Sequence, residues 1–270
     1  MTTPFQNFRL DLGSIANVIS LIAIGTNLLP ELAATLGMGE RKVRDLFEWC
    51  HHLGLLVEKS RNAPQCLTNL GYSLSTRQGW LNQLSILDIL YASLVARHKI
   101  VNRIVNELGY NTSLRFSPQF SMQEYRGFLV SLTHQVVDAK AKVVLDRGST
   151  FLNALAQPSG FGKLMMFSLA EDRLYVRVQP RFPAWQSAAY ILYDSWPENV
   201  SRVKISEVVS GPNSLGRIFF LTEPQVMVLL SKLEQERALA LEIVADLNQI
   251  GLNPAMKAEG FLEMLIHDQG

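Results

Sequence analysis

With 270 residues, 48% hydrophobic and 18% charged side chains, the chain is long enough for two domains or several small modules and too apolar to be disordered. A formal net charge of +1 excludes the overall electrostatic signature of a general nucleic-acid binder. The charge is tilted, however: residues 1–150 carry 15 Lys/Arg against 11 Asp/Glu, and residues 151–270 carry 10 against 13.

The apolar run at 15–24 is too short to span a bilayer, and the preceding Asp11, with only Arg9 as a basic flank, argues against a secretory leader. A first packed helix and no membrane association are expected there. Next, Leu28, Leu29, Leu32 and Leu36 recur at helical spacing and stop at Gly37, and Gly37-Met38-Gly39 forms a tight turn. A second helix starts near Glu40 with Val43, Leu46, Phe47, Cys50 and Leu53 on one face, and Gly54 closes it. Residues 55–59 read as a short strand, 60–65 as a turn-rich tip and 66–68 as the returning strand, with another helix after them. Helix, tight turn, helix and a hairpin with a polar tip make a winged helix-turn-helix. Cys50 and Cys66, the only cysteines, fit reduced, buried thiols in a cytoplasmic protein.

A long apolar helix is predicted over 81–108, ended by Gly109, and 111–119 reads as a linker. Residues 120–137 are helical by period. Residues 140–156 favour a helix interrupted near Gly148, with a strand at 143–145 as the alternative. Two alternating stretches, 163–170 and 173–179, read as a hairpin around Glu171-Asp172. The remainder reads as helices at 185–196 and 205–209, a strand at 217–221, a helix at 223–237, a strand at 238–246 and a last helix at 261–266. The expected fold class is mainly α with small β-hairpins, in tandem winged helix-turn-helix-like modules. Their boundaries are 1–80, a connecting helix and linker at 81–118, a second module at 119–182 and a third at 183–270.

The second helix carries the candidate nucleic-acid contacts. On a helical wheel, Val43, Leu46, Phe47 and Cys50 fall within about 100° of arc, and Arg41, Asp45, Glu48 and His52 lie opposite, with Arg44 and Lys42 to either side. Arg41, Lys42 and Arg44 on the helix, with Lys59 and Arg61 on the wing, are the predicted DNA-binding residues. Asp45 and Glu48 would repel phosphates, so docking of another protein on the same face is the alternative. A second basic-aromatic stretch runs through Arg173, Tyr175, Arg177, Arg181, Phe182 and Trp185; packing of Tyr175 is favoured over base stacking there.

Catalytic and metal patterns are missing. Cys50, His51 and His52 are adjacent on a helix and cannot converge on one ion, and no C-x-x-C pair exists. The segment 158–163, Pro-Ser-Gly-Phe-Gly-Lys, fails as a phosphate loop because Gln157 replaces the first glycine and Leu164 the magnesium-binding hydroxyl. Lys142 to Gly148 has too few glycines for a dinucleotide turn, and no G-x-S-x-G occurs. No cofactor and no metal are expected.

Leu36-Gly37-Met38-Gly39 followed by Trp49 and Leu53-Gly54-Leu55, then Leu67-Thr68 with Leu70-Gly71, then Gly216-Arg217-Ile218-Phe219 with Leu221, resemble a bacterial family of unknown function. That family is found among DNA-phosphorothioation and phage-defence operons. The resemblance spans about residues 30–265. It implies a component of a DNA-modifying or DNA-restricting complex, and one branch of the family is credited with nicking DNA, for which this chain has no matching catalytic motif. The expected function is therefore a non-catalytic DNA-binding or adaptor subunit of a bacterial defence or DNA-modification system. Its expected partners are double-stranded DNA and the other subunits of the complex. A metal-dependent nicking subunit and a purely protein-binding adaptor are the alternatives.

Overall fold

A computed structural model describes residues 9–57, 63–77, 79–110, 119–133, 141–172, 174–177, 181–244 and 247–267. Its described residues are mainly helical, with two small antiparallel sheets. The chain divides into two units, Met1–Ile104 with Pro118–Val178, and Val105–Ser117 with Gln179–Gly270.

The first unit begins with α1 (Leu12–Ala23), whose apolar face of Ile15, Val18, Ile19 and Ile22 is buried. Asp11 caps it by accepting from the Gly13 and Ser14 amides at 3.1 and 3.3 Å, the position where a short acceptor satisfies orphan N–H groups. Then come α2 (Leu29–Leu36) and α3 (Glu40–His52). Gly37, at φ 61°, closes α2 in the left-handed region, where its lack of a Cβ avoids strain. Leu56 bridges Leu67, and the Val57 amide donates to Cys66 O at 2.9 Å, so the two expected arms meet in one isolated antiparallel bridge where two strands were expected. Residues 58–62, the end of the first arm and the first half of the expected tip, lie outside the described residues. Cys66 is exposed, which corrects the expectation of a buried thiol; Cys50 is buried, and burial pushes its thiol pKa up. The Thr68 hydroxyl caps α4 (Asn69–Ser75) by accepting from the Gly71 amide at 3.0 Å and donates to Gly54 O at 2.7 Å.

The single long helix expected over 81–108 is two helices, α5 (Leu84–Arg97) and α6 (Lys99–Tyr110). The break is at His98, which adopts extended angles and whose imidazole Nδ1 accepts from the Val101 amide at 3.3 Å. A side-chain acceptor at that position starts a new helix, so the apolar period continues across the break and hides it. α5 is buried almost all round, from Ile86 to Val95, and is the centre of this unit. α6 passes from the first unit to the second at residue 105.

The rest of the first unit comprises β1 (Gln119–Phe120), α7 (Met122–Thr133), α8 (Ala141–Ala156), β2 (Phe167–Leu169) and β3 (Tyr175–Arg177), in sheet order β1-β3-β2. The predicted linker at 111–119 falls outside the described residues except for Gln119. α8 runs unbroken through Gly148. A Cβ there would meet Leu129 methyls at 2.6 Å, so this glycine permits close packing of α7 on α8 and breaks nothing. The glycine-rich segment 158–163 is a turn: Gly160 and Gly162 approach the backbone of Ala154 and Gln157, and Lys163 Nζ donates to Leu81 O and Asn82 Oδ1.

The second unit contains α9 (Trp185–Asp194), β4 (Val203–Lys204), α10 (Ile205–Ser210), α11 (Leu215–Phe219), α12 (Glu223–Gln235), β5 (Leu239–Val244), β6 (Leu247–Leu252) and α13 (Ala258–His267). The sheet order is β4-β6-β5, all antiparallel. The expected strand at 217–221 is the end of a helix instead, with Phe220 as its left-handed cap. Leu215, Ile218 and Phe219 are buried at helical spacing, and the Ser214 hydroxyl caps the helix by accepting from the Arg217 amide at 3.2 Å. The strand at 247–252 had no counterpart among the expected elements, because Asn248, Gln249 and Gly251 dilute its alternation. α13 packs on α9 through Phe261, which contacts Trp185 and Tyr193 edge-on and tilted, and the Tyr193 hydroxyl donates to Ala238 O at 2.6 Å.

Candidate functional site

Three of the five predicted contact residues can be placed on α3. Arg41 and Arg44 are exposed, and Lys42 is half-buried. Lys59 and Arg61 lie outside the described residues. Arg44 is paired with Glu40 at 3.2 Å, one helical turn before it and equally exposed. An exposed i,i+4 pair of this kind contributes about 0.2–0.5 kcal/mol to the helix and yields readily to a competing phosphate. Arg41, Lys42 and Arg44 against Glu40 and Asp45 leave one net positive charge on the first two turns of α3.

Asp45 is only 5% exposed, which corrects its expected outward position. The inward arc of α3 is wider than the wheel implied, because Trp49 is buried beside it at 2% exposure. One of the two acids expected to repel a phosphate backbone is thereby removed from the surface.

The second half of α3 has a different role. His52 and His98 lie with ring centroids 4.5 Å apart at 52°, at the junction of α5 and α6. Burial, followed by the charges of Arg147, His51 and Arg97, pushes the His52 pKa down to about 4. Burial, followed by His52 and Arg147, pushes His98 down to about 3. Arg147 of α8 is itself lowered by burial, partly offset by the carboxylate of Glu48. The hydrogen bond accepted by His98 Nδ1 requires a neutral imidazole at 98, in keeping with its lowered pKa. This cluster ties the end of α3 to the α5–α6 break and sets Arg147 of α8 within electrostatic reach of it. Arg97, His98 and Arg147 were not among the predicted residues. The Arg97-His98-Lys99 triplet inside an apolar period was the one available signal.

In the second basic-aromatic stretch Tyr175 packs, whereas Phe182 is 44% exposed. Tyr175 is 5% exposed, stacks on Phe120 at 5.9 Å and donates to Asn153 Oδ1 at 2.6 Å, so its ring is unavailable to a base. Among the described residues, no group of three or more His, Cys, Asp and Glu side chains gathers to hold a metal, and no helix is long and apolar enough to cross a membrane.

The second unit contains a half-open cavity of about 370 Å³ between α9, α10 and the 211–214 loop. Its apolar floor includes Ile191 and Leu215, and Trp196, Lys204, Glu207 and Asn213 stand around it.

No sequence-family profile matches the chain, and no curated protein matches it in sequence. Two solved structures share its fold. A magnesium ion-bound SspB crystal structure superposes with a TM-score of 0.72 at 13% identity, over 95% of this chain and 85% of that one. A second SspB crystal structure gives 0.67 at 12% identity, over 97% of this chain and 85% of that one.

Proposed function

We propose that the protein is a non-catalytic, DNA-engaging subunit of a bacterial defence or DNA-modification assembly, built from tandem winged helix-turn-helix-like modules. The observation that carries this reading is the extent of the fold likeness to SspB, a phosphorothioation-associated protein, together with the sequence resemblance to a family of phosphorothioation and defence operons. The modules are read as 1–80, 119–182 and 183–270, with 81–118 connecting the first two. The order helix, helix, hairpin in each of them supports the winged reading, as does the central position of the last hairpin strand in both sheets. α3 offers Arg41, Lys42 and Arg44 to the phosphate backbone, with Lys59 and Arg61 on the wing as flanking contacts.

Duplex binding followed by fluorescence anisotropy should weaken steeply as salt rises. Arg41→Ala with Arg44→Ala should weaken it several-fold at low salt and shrink the log K against log salt slope by about 2, one for each lost phosphate contact. Unchanged slope and affinity would remove α3 from the interface.

A second reading, a metal-dependent nicking subunit, is favoured by the magnesium in one of the SspB structures. Supercoiled plasmid incubated with the purified chain and magnesium or manganese should stay supercoiled. Accumulation of relaxed circle, absent from a mock preparation, would replace the non-catalytic reading with this one. A purely protein-binding adaptor would leave plasmid and duplex alike untouched.

A further inference from the structure

We propose that the cavity of the second unit is a nucleotide pocket, taking one unstacked heteroaromatic base together with its phosphate. The cavity's 370 Å³ is within the range of sites that enclose a small ligand. Trp196 donates its only polar hydrogen to Val200 O at 2.6 Å, so what it offers a ligand is π surface. Ile191 at 7% and Leu215 at 1% exposure line the same cavity with apolar surface suited to the flat carbon face of a base. Glu207 supplies an acceptor for a base edge, its carboxylate matching the exocyclic amine of cytosine or adenine.

The cations of the cavity divide their roles. Arg202 is held by Glu242 through a two-point fork, with Nε at 2.7 Å from one carboxylate oxygen and the terminal nitrogen at 2.5 Å from the other. Its charge is already matched. Lys204 is exposed, stands at the shared wall of this cavity and a neighbouring one of about 510 Å³, and makes no ion pair among the described residues. It is the cation placed for a phosphate.

Other ligand classes use the cavity less completely. A purely apolar ligand would strip water from Lys204 and Glu207 without replacing it. A bare phosphate would leave the tryptophan and the floor unused. A cationic side chain would suit Trp196 and Glu207 and meet Lys204. A nucleotide engages all of them, whether it is free or an unstacked unit of a single strand. The pocket extends the DNA reading above without requiring α3 to touch a duplex.

The test uses the full-length chain and a fluorescein-labelled single strand of mixed sequence, with the same sequence as duplex alongside. Single-strand affinity should fall about tenfold in Trp196→Leu, the size of one lost base stack, and stay near the parent in Trp196→Phe. In Lys204→Met, deoxycytidine monophosphate should lose its advantage over deoxycytidine as a competitor. Competition by the mononucleotide marks a free nucleotide as sufficient, and binding by the strand alone marks the strand as the source; either supports the pocket. Single-strand and mononucleotide binding that is absent, or identical in Trp196→Leu, Lys204→Met and parent, overturns it. Duplex binding lost in the Arg41/Arg44 pair but kept in Trp196→Leu separates a failure here from a failure of the α3 interface.

Discussion

Alanine at position 71 should collapse the N-terminal module, lowering its stability by about 3 kcal/mol or more in urea denaturation. A Cβ at Gly71 would stand 2.1 Å from the carbonyl oxygen of Leu55 and 3.0 Å from its carbon. That oxygen cannot retreat cheaply, because it accepts from the Thr68 amide at 3.0 Å in the bridge that closes the hairpin onto α4. Gly216 presents the same case in the second unit, where a Cβ would lie 2.0 Å from Val209 O between α10 and α11. Gly216→Ala should be comparably damaging. Gly127 is the control: it is exposed on α7 with nothing within 4 Å of a built Cβ. Gly127→Ala should be neutral or stabilising by about 0.5–1 kcal/mol, since alanine loses less backbone entropy in a helix. Equal urea midpoints for Gly71→Ala and Gly127→Ala would mean that α4 does not pack on Leu55 in solution.

Stability should fall as pH drops below about 6.5, and a measurable share of that fall should disappear in His98→Asn. In the folded chain His52 and His98 are pushed down to about 4 and about 3, against 6.5 when unperturbed. Above pH 6.5 both are neutral in either state and contribute nothing to the pH dependence. Below it the unfolded chain binds protons that the folded chain refuses, so unfolding gains ground until the folded pKa values are reached, and the curve then flattens. Each histidine adds a slope of up to about 1.4 kcal/mol per pH unit, and less for His52, which is partly exposed. Protonation of His98 would also occupy the nitrogen that accepts from Val101 and set its charge beside Arg147 and His52. Asparagine at 98 keeps a good helix cap without a titrating group. Urea midpoints from pH 7 to pH 4.5 should therefore diverge between parent and His98→Asn, with the variant shallower. Parallel curves would show that His98 is already solvated in the folded chain.

The glycines that carry the sequence resemblance have a shared physical basis. Gly37 takes a left-handed turn, and Gly71 and Gly216 let one backbone approach another too closely for any side chain. Such positions are legible as glycines in a pattern, but the reason for each depends on a partner 16 residues away for Gly71 and 7 for Gly216. The same limit applied to α3. Its apolar period located the helix and its buried stripe, yet Asp45 and His52 were placed outward because a wheel assumes a single packed face. α3 is packed on more than one side, against the cluster at the α5–α6 break and Arg147 as well as its own module.

By itself the sequence determined the class of the chain and most of its helices, together with the hairpins at 55–68 and 163–179. Periodicity, capping residues and turn glycines act over a few residues and are written locally. Only the tertiary structure decided where the apolar run at 81–108 breaks, that 217–219 end a helix, which charges of α3 reach solvent, and that Trp196, Lys204, Glu207 and Asn213 surround one cavity. Each of those depends on desolvation or on groups from separate elements meeting in space, and neither leaves a period in the chain.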